Sequence, residues 1–267
     1  MSCGIFAYIG SKDIETARIF DLLREMESLK EEVDESPLGG HGAGYVSLSE
    51  GLVPFYNKVG LIANRSPVES LFDFEELQDA QGFKFFIGHV RRASDEFSSP
   101  DELDELHAHP FVHSGKKFRI YGVHNGFLKN YKEISNRYGI QEYFTDSDVL
   151  TQYFLALLEN KGNISSACEE LFSGIEGNNT AVFLIEGKDD YHLVVLHTGK
   201  TRGLVIFENE HGEMLLCSRK GLLLKYFEDF LEDRNYFETV AVGPKEHQLF
   251  INWWRVDHTI PFKLSEY

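Results

Sequence analysis

The order of strand-like and helix-like segments limits the folds open to this chain. Short β-rich runs recur up to about residue 128, helical segments follow, and further short strands begin near Asn179. Alternating strand–helix units would predict a parallel sheet, whereas this order predicts an α+β fold with antiparallel sheets covered by helices. Because the chain has no Pro- or Ser-rich linker, low-complexity tract or repeat, we interpret residues 1–267 as one domain.

The first third of the chain is dominated by strand patterns. CGIFAYIG, ended by Gly10, predicts a buried strand, and apolar residues at three-residue steps from Asp13 to Val33 predict a helix. Pro37 and the glycines of PLGGHGAGY break the chain. GYVSLSEGLVPFY then predicts a hairpin with its turn near Glu50-Gly51.

Two further strands carry polar motifs. FKFFIGHV, residues 83–90, predicts a strand that runs into RRAS, and a polar loop follows from Asp95 to His109. FRIYGVHNGFL predicts a strand with Asn125-Gly126 at a tight turn, since Asn-Gly is the strongest short hairpin signal.

The remainder divides into helices and then strands. YKEISNRYGI, DSDVLTQYFLALLE and SSACEELFSGI predict helices. TAVFLIEG, YHLVVLHTG, RGLVIFEN and EMLLCS predict a four-stranded meander. KGLLLKYFEDFLED predicts one more helix, with further strands in the tail from Tyr236.

Composition excludes several classes of function. The formal net charge of −17 argues against nucleic acid as the main partner, because phosphate binding needs clustered Lys and Arg. No apolar run approaches the ~18 residues of a membrane span, so we expect no membrane association. Three cysteines without a CxxC pair make no disulfide framework, and with no secretory segment they favour a cytoplasmic protein.

Cys3 is the first candidate for chemistry. Most cysteines are small buried hydrophobes. A thiol at a chain start can instead use its own α-amine as a general base, because that amine titrates near neutral pH. This works only if the cysteine is the first residue.

Three further motifs have both a structural and a functional interpretation. Asn125 and Gly126 fit a hairpin turn, or an oxyanion hole made of a side-chain amide and a backbone N–H. Arg91 fits a solvated strand end, or a bidentate clamp for a carboxylate. Asp146 or Ser147 fits a helix N-cap, whereas an acidic side chain at this place, that of Asp146, could instead receive a substrate ammonium.

Metal and phosphate sites are not supported by the pattern. His107, His109 and His113 lie close in sequence, but no cysteine or carboxylate spacing completes a metal site. GGHGAG lacks GxGxxG spacing and a following helix pattern. We therefore predict neither a metal nor a cofactor.

Taken in order, these motifs resemble the class II glutamine amidotransferase domain, an N-terminal-nucleophile hydrolase. CGIF resembles that family's opening Cys-Gly-Ile, GHVRRAS its GHxRxAT segment and HAHPF its NxHP segment. VHNGFLKNY is similar to HNGxxxN, and TDSDVL to the SDTE helix start. The resemblance runs from Cys3 to about Leu231 and is greatest to the stand-alone type. It implies a four-layer α-β-β-α sandwich of two antiparallel sheets and hydrolysis of glutamine.

The resemblance also implies roles for particular residues. Cys3 would be the nucleophile that forms a γ-glutamyl thioester, with Asn125 and Gly126 as the oxyanion hole. Substrate contacts would come from the positions that match the family's motifs, namely Arg91, Ser94, His109 and Asp146. Ammonia would pass to an acceptor on a separate protein, for which NWWRVDHTIPF is a candidate contact surface; two core or edge tryptophans are at least as good an interpretation.

Three positions depart from the family pattern. His107 stands where Asn is usual, and Arg92 stands where many members have an aromatic or other residue. Removal of Met1 would expose Ser2 and not Cys3. Either a Met-Ser propeptide, residues 1–2, is cleaved, or Cys3 has no free α-amine.

Two alternatives to a glutaminase therefore stay open. A γ-glutamyl amide or peptide hydrolase would keep the fold and the nucleophile. A non-catalytic glutamine-binding regulatory subunit would keep the pocket without a free Cys3.

Overall fold

The computed structural model describes residues 3–48, 53–188 and 190–256, except for the side chains of Glu76, Asp79 and Arg255. Its first elements, in chain order, are β1 (Gly4–Glu15), α1 (Thr16–Ser28), β2 (Gly42–Leu48), β3 (Pro54–Gly60), α2 (Pro67–Leu71), α3 (Glu75–Asp79), β4 (Gly82–Arg91), β5 (Phe111–Ser114) and β6 (Arg119–Leu128). Between β4 and β5 the chain forms three single 3₁₀ turns, Asp95–Phe97, Pro100–Glu102 and Glu105–His107.

Helices occupy the middle of the chain, and strands resume after them. These elements are α4 (Tyr131–Tyr138), α5 (Asp146–Lys161), α6 (Ile164–Gly174), β7 (Gly177–Glu186), β8 (Tyr191–Thr198), β9 (Leu204–Glu208), β10 (Met214–Cys217), α7 (Lys220–Asp233), β11 (Phe237–Val242) and β12 (Phe250–Val256). The helical segments predicted from the sequence are all present, with bounds that differ by a few residues.

The strands form two antiparallel sheets. One has seven strands in the order β11-β9-β10-β1-β4-β2-β3, and the other has five in the order β12-β8-β7-β6-β5. β1 lies at the centre of the larger sheet, paired with β4 on one side and β10 on the other. The predicted pair of antiparallel sheets is confirmed.

Alternation of side chains along the strands produces the layers. In β1, Ile5, Ala7 and Ile9 pack between the two sheets, together with Val182 and Leu184 of β7. The intervening residues of β1 point the other way, into a cluster with α1 and α7. A third cluster packs α4, α5 and α6 on the outer face of the five-stranded sheet. Three apolar layers separate four layers of structure, which confirms the α-β-β-α sandwich.

The predicted four-stranded meander is divided between the sheets. β7 and β8 pair as a hairpin in the five-stranded sheet, whereas β9 and β10 pair in the seven-stranded sheet. The prediction of one meander was wrong because strand spacing does not show which sheet receives each hairpin.

Two boundaries also differ from the prediction. The first helix begins at Thr16, and not near Asp13, because β1 continues to Glu15 and pairs there with Gly82. Asn125 and Gly126 do not form a turn: they lie within β6, opposite Thr180 and Asn179 of β7. The predicted β2–β3 hairpin is present, but its turn lies outside the described residues.

The tail contributes an edge strand. β12 pairs with β8, and its Trp253 and Trp254 are 7% and 0% exposed. These two tryptophans are therefore core residues and not a contact surface, and residues 257–262 of the predicted surface lie outside the description. Within the described parts of the chain, no helix has the length and apolarity needed to cross a membrane.

Candidate active site

Cys3 lies immediately before β1, at the end of the central strand of the larger sheet. The side chain is 7% exposed. Its backbone N–H donates to Asn125 Oδ1 at 3.2 Å, which joins the start of β1 to β6 of the other sheet. The fold thus brings the predicted nucleophile beside the predicted oxyanion hole, although 122 residues separate them in sequence.

The thiol of Cys3 is held against the backbone that follows β4. Its Sγ accepts from Arg92 N–H at 3.4 Å and donates to Arg92 O at 3.5 Å. Burial raises the pKa of this thiol, and the Arg92 N–H and the charge of Arg91 oppose that rise only in part. Since the thiolate is the nucleophilic form, a nearby base is needed to take the thiol proton.

Asn125 presents a donor that no described group satisfies. The residue is 1% exposed, and its Nδ2 is buried without a hydrogen-bond partner among the described residues. Leaving a buried donor unpaired costs about 1–3 kcal/mol, so such groups usually mark a site that a ligand completes. Its neighbour Gly126 has φ +150°, and an added Cβ would lie 2.0 Å from Asn178 O, so only glycine fits there.

Arg91 is a buried guanidinium held by carbonyl groups. It is 3% exposed, and it donates to Glu102 O at 3.0 Å and Phe97 O at 3.2 Å. Among the described residues no carboxylate lies within 4 Å of it, and burial lowers its pKa. A positive group positioned by two carbonyls and lacking a counter-ion is suited to an incoming carboxylate.

Asp146 is the corresponding buried acid. It is the first residue of α5, while Thr145 is the N-cap, so the predicted N-cap role of Asp146 or Ser147 was wrong. Its Oδ2 accepts from Leu128 N–H at 2.8 Å, and burial raises its pKa to about 7. No cation in the described part of the chain pairs with it. A ligand ammonium would supply the missing charge.

The predicted site residues, except Asn125, border one small cavity of about 20 Å³. Its walls include Cys3, Arg91, Ser94, His109, Gly126 and Asp146. Both ring nitrogens of His109 are buried without partners in the described structure, and burial keeps the pKa of this ring well below its usual value. The cavity holds about one water molecule, so an amino acid enters only if a wall moves.

Sequence reasoning considered Ser147 only as a helix N-cap, and it gave His41 and His124 no role at this cavity. Ser147 lines it and lies 2.8 Å from Nδ1 of His124, another lining residue. His41 Nδ1 accepts from Ala93 N–H at 3.1 Å and so fixes the backbone after β4. His124 belongs to the HNG motif already noted, but nothing in the sequence places the glycine-rich segment beside β4.

A metal centre finds no support in the geometry. In the residues that the structure covers, no group of three or more His, Cys, Asp and Glu side chains could hold an ion. His113 is instead bound to Asp148, at 2.5 Å from Nε2 to Oδ1.

Sequence comparisons identify homologous domains. The chain is 28% identical over 245 residues to the isomerizing glutamine–fructose-6-phosphate aminotransferase of Campylobacter jejuni subsp. jejuni, covering 90% of this chain and 36% of that enzyme. It is 30% identical over 142 residues to the amidophosphoribosyltransferase of Archaeoglobus fulgidus, covering 52% of this chain and 30% of the relative. The chain is thus homologous to the glutamine amidotransferase domains of these two enzymes. No family model matches it.

The fold of this chain agrees with solved structures. Glutamine phosphoribosylpyrophosphate amidotransferase from Bacillus subtilis superposes with a TM-score of 0.61 at 18% identity, covering 98% of this chain and 49% of that one. An allosteric regulatory enzyme of purine biosynthesis gives a TM-score of 0.62 at the same identity and coverage. The chain spans about a third of the length of the curated relatives it matches.

Proposed function

We propose that this domain hydrolyses the side-chain amide of glutamine through a thioester on Cys3 and releases ammonia for an acceptor on another domain or protein. The observation that carries the proposal is the unpaired, buried amide of Asn125 beside Cys3, because it is a donor that is ready for a developing oxyanion. The names of the homologous enzymes, which include glutamine-dependent transferases, support the same chemistry.

The base in this proposal is the α-amine of Cys3 after residues 1–2 are removed. The backbone nitrogen of Cys3 lies 3.2 Å from Asn125 Oδ1, so a freed amine at this place would stay oriented by that oxygen. As an amine it takes the thiol proton, whereas as an amide it cannot. Catalysis therefore depends on a chain that begins at Cys3.

The reaction proceeds in two balanced steps. Sγ attacks the amide carbon, a C–S bond forms, and the C–N bond breaks as the nitrogen takes the proton held by the α-amine and leaves as ammonia. Water then adds to the thioester, the C–S bond breaks, and glutamate leaves while the thiol regains a proton. Both steps pass through an oxyanion that the Asn125 amide and the Gly126 N–H stabilise; one such donor is typically worth about 2.7–4 kcal/mol.

The substrate's α-carboxylate and ammonium are assigned to Arg91 and Asp146. Each is buried, and neither has an opposite charge within 4 Å among the described residues. His109 and Ser94 border the same cavity and are assigned to substrate contact. Because the cavity holds about one water, binding of glutamine requires one of its walls to move.

The decisive experiment compares chains that begin at Cys3 with chains that retain residues 1–2. Intact mass identifies the first residue, and a coupled assay measures glutamate formed from glutamine. We expect hydrolysis only from the chain that begins at Cys3, and its loss in Cys3→Ala with an unchanged circular dichroism spectrum. The matched control is Cys168→Ala, which removes a buried thiol from α6 and should leave turnover unchanged.

Two results would contradict the proposal. Unchanged turnover in Cys3→Ala would exclude the thioester. If the chain that begins at Cys3 binds glutamine but does not hydrolyse it, the domain is a glutamine-binding regulatory subunit instead.

A further inference from the structure

Arg92 is a second guanidinium at the cavity, with surroundings unlike those of Arg91. Its backbone N–H and carbonyl contact Cys3 Sγ at 3.4 and 3.5 Å. Its side chain extends to the glycine-rich segment before β2, where Nη1 donates to Gly39 O at 3.2 Å. The residue is half-buried and lines the same cavity as the nucleophile.

The two arginines point to opposite sides of the nucleophile. Successive residues of an extended chain project in opposite directions. Arg91 accordingly reaches the carbonyls of Phe97 and Glu102 in the 3₁₀ turns, while Arg92 reaches Gly39. A γ-glutamyl group held by Arg91, with its amide carbon at Sγ, would direct its leaving amine away from Arg91 and so toward Arg92.

The charge at Arg92 is not neutralised by the protein. No carboxylate lies within 4 Å of its guanidinium in the described residues, although the chain has 43 acidic residues against 26 basic ones. The nearby ring of His41 stays neutral, because burial, followed by the charges of Arg92 and Arg91, lowers its pKa to about 4. The leaving-group side of the site is thus positive at neutral pH.

We propose that Arg92 selects γ-glutamyl substrates whose leaving amine carries a carboxylate, such as γ-glutamyl amino acids and γ-glutamyl peptides. This inference rests on the proposed function, since it uses the same nucleophile, oxyanion hole and clamp. Ammonia released from glutamine has no group for Arg92 to bind. The carboxylate of a departing amino acid can instead accept two hydrogen bonds from the planar guanidinium of Arg92. The bond broken is again the amide C–N bond, and the leaving nitrogen takes the proton from the α-amine.

The test uses the chain that begins at Cys3 and three substrates: glutamine, γ-glutamyl-alanine and its C-terminal amide, γ-glutamyl-alaninamide. The last two differ only in the negative charge of the leaving group. We expect wild type to favour the acid over the amide in kcat/KM by about tenfold or more, the value of a hydrogen-bonded charge pair. In Arg92→Gln that ratio should fall to about one, and Arg92→Lys should keep part of it because it keeps the charge.

The ratio, and not the absolute rate, is the readout, because Arg92 also contacts the nucleophile through its backbone. Arg137→Gln, a change on α4 where the guanidinium stacks on Tyr138, is the matched control and should preserve the ratio. Equal kcat/KM for acid and amide in wild type, or an unchanged ratio in Arg92→Gln, overturns the inference while glutamine hydrolysis still supports the proposed function. If none of the three substrates is cleaved, the proposed function and the inference fail together.

Discussion

At the scale of single residues, the site is distinguished by polar groups that the protein leaves incomplete. Among the described residues, Asn125 Nδ2 lacks an acceptor, and Arg91 and Asp146 have no opposite charge within 4 Å. The sequence predicted these residue types from their motifs. It could not predict their unpaired state, nor the support that His41 gives to the backbone after β4, because both depend on segments far apart in the chain.

The buried carboxyl of Asp146 predicts a pH dependence of stability. Its pKa is about 7 in the folded chain, raised chiefly by burial, and ~3.9 when unfolded. Between these values the folded state binds more protons, so the free energy of unfolding falls as pH rises through this window. We expect the urea midpoint of wild type to fall between about pH 5 and about pH 8, and that of Asp146→Asn to fall less, because asparagine does not ionise.

Two comparisons make that pH prediction specific to the site. The exposed Asp101→Asn should retain the pH dependence of wild type. Glutamine added at the higher pH should restore stability to wild type, because its ammonium pairs with the ionised Asp146. A pH profile identical in wild type and Asp146→Asn would contradict the folded pKa.

At the scale of elements, β2 can pack closely against the segment before β5 because β2 has a glycine at the point of contact. β2 passes under the segment that carries His109, and an added Cβ at Gly44 would lie 1.9 Å from His109 O. Lys58 of β3 fastens the same segment, donating to Ala108 O at 2.9 Å. The sequence predicted the strands correctly. The prediction of a turn at Asn125-Gly126 was wrong, because long-range pairing with β7 outweighed the local hairpin signal.

Gly44→Ala should therefore displace His109 as well as strain β2. We expect a loss of stability of about 1–3 kcal/mol from the overpacking, with a raised KM for glutamine. Chemical denaturation and steady-state kinetics measure the two effects. Gly221→Ala in α7 is the control: its Cβ meets nothing within 4 Å, so stability should be unchanged or rise by up to about 1 kcal/mol.

At the scale of the whole molecule, a buried ion cluster connects the loop between α1 and β2 to two segments near the other end of the sequence. Asp34, between α1 and β2, is 6% exposed and binds Arg202 and Arg219. Burial acts to raise the pKa of Asp34, but hydrogen bonds and charge from the arginines hold it lower. The cluster fastens the segment that supplies Gly39 and His41 to the site. Nothing in the sequence indicated it, since its members are up to 185 residues apart.

Removing the acid from this cluster should be costly. Asp34→Asn removes the buried carboxylate that Arg202 and Arg219 share, while Glu31 stays 3.0 Å from Arg219. We expect a loss of about 3–5 kcal/mol in the free energy of unfolding. A lower kcat/KM for glutamine should accompany it as the 39–41 segment loosens. Asp73→Asn, which breaks an exposed pair with Arg65, should cost at most about 1 kcal/mol. Equal losses of unfolding free energy in the two variants would show that the buried cluster stabilises the fold no more than an exposed ion pair does.

The central position of β1 has a consequence for how the molecule is made. β1 pairs on one side with β4, which ends at Arg91, but its partner on the other side is β10, which begins only at Met214. Ile5 N–H donates to Ser218 Oγ across 213 residues. Contacts so distant in sequence favour slow folding, on the scale of about milliseconds to seconds. The strand that follows Cys3 therefore lacks its second neighbour until Met214–Cys217 have been synthesised, although the residues assigned to the site all precede β10.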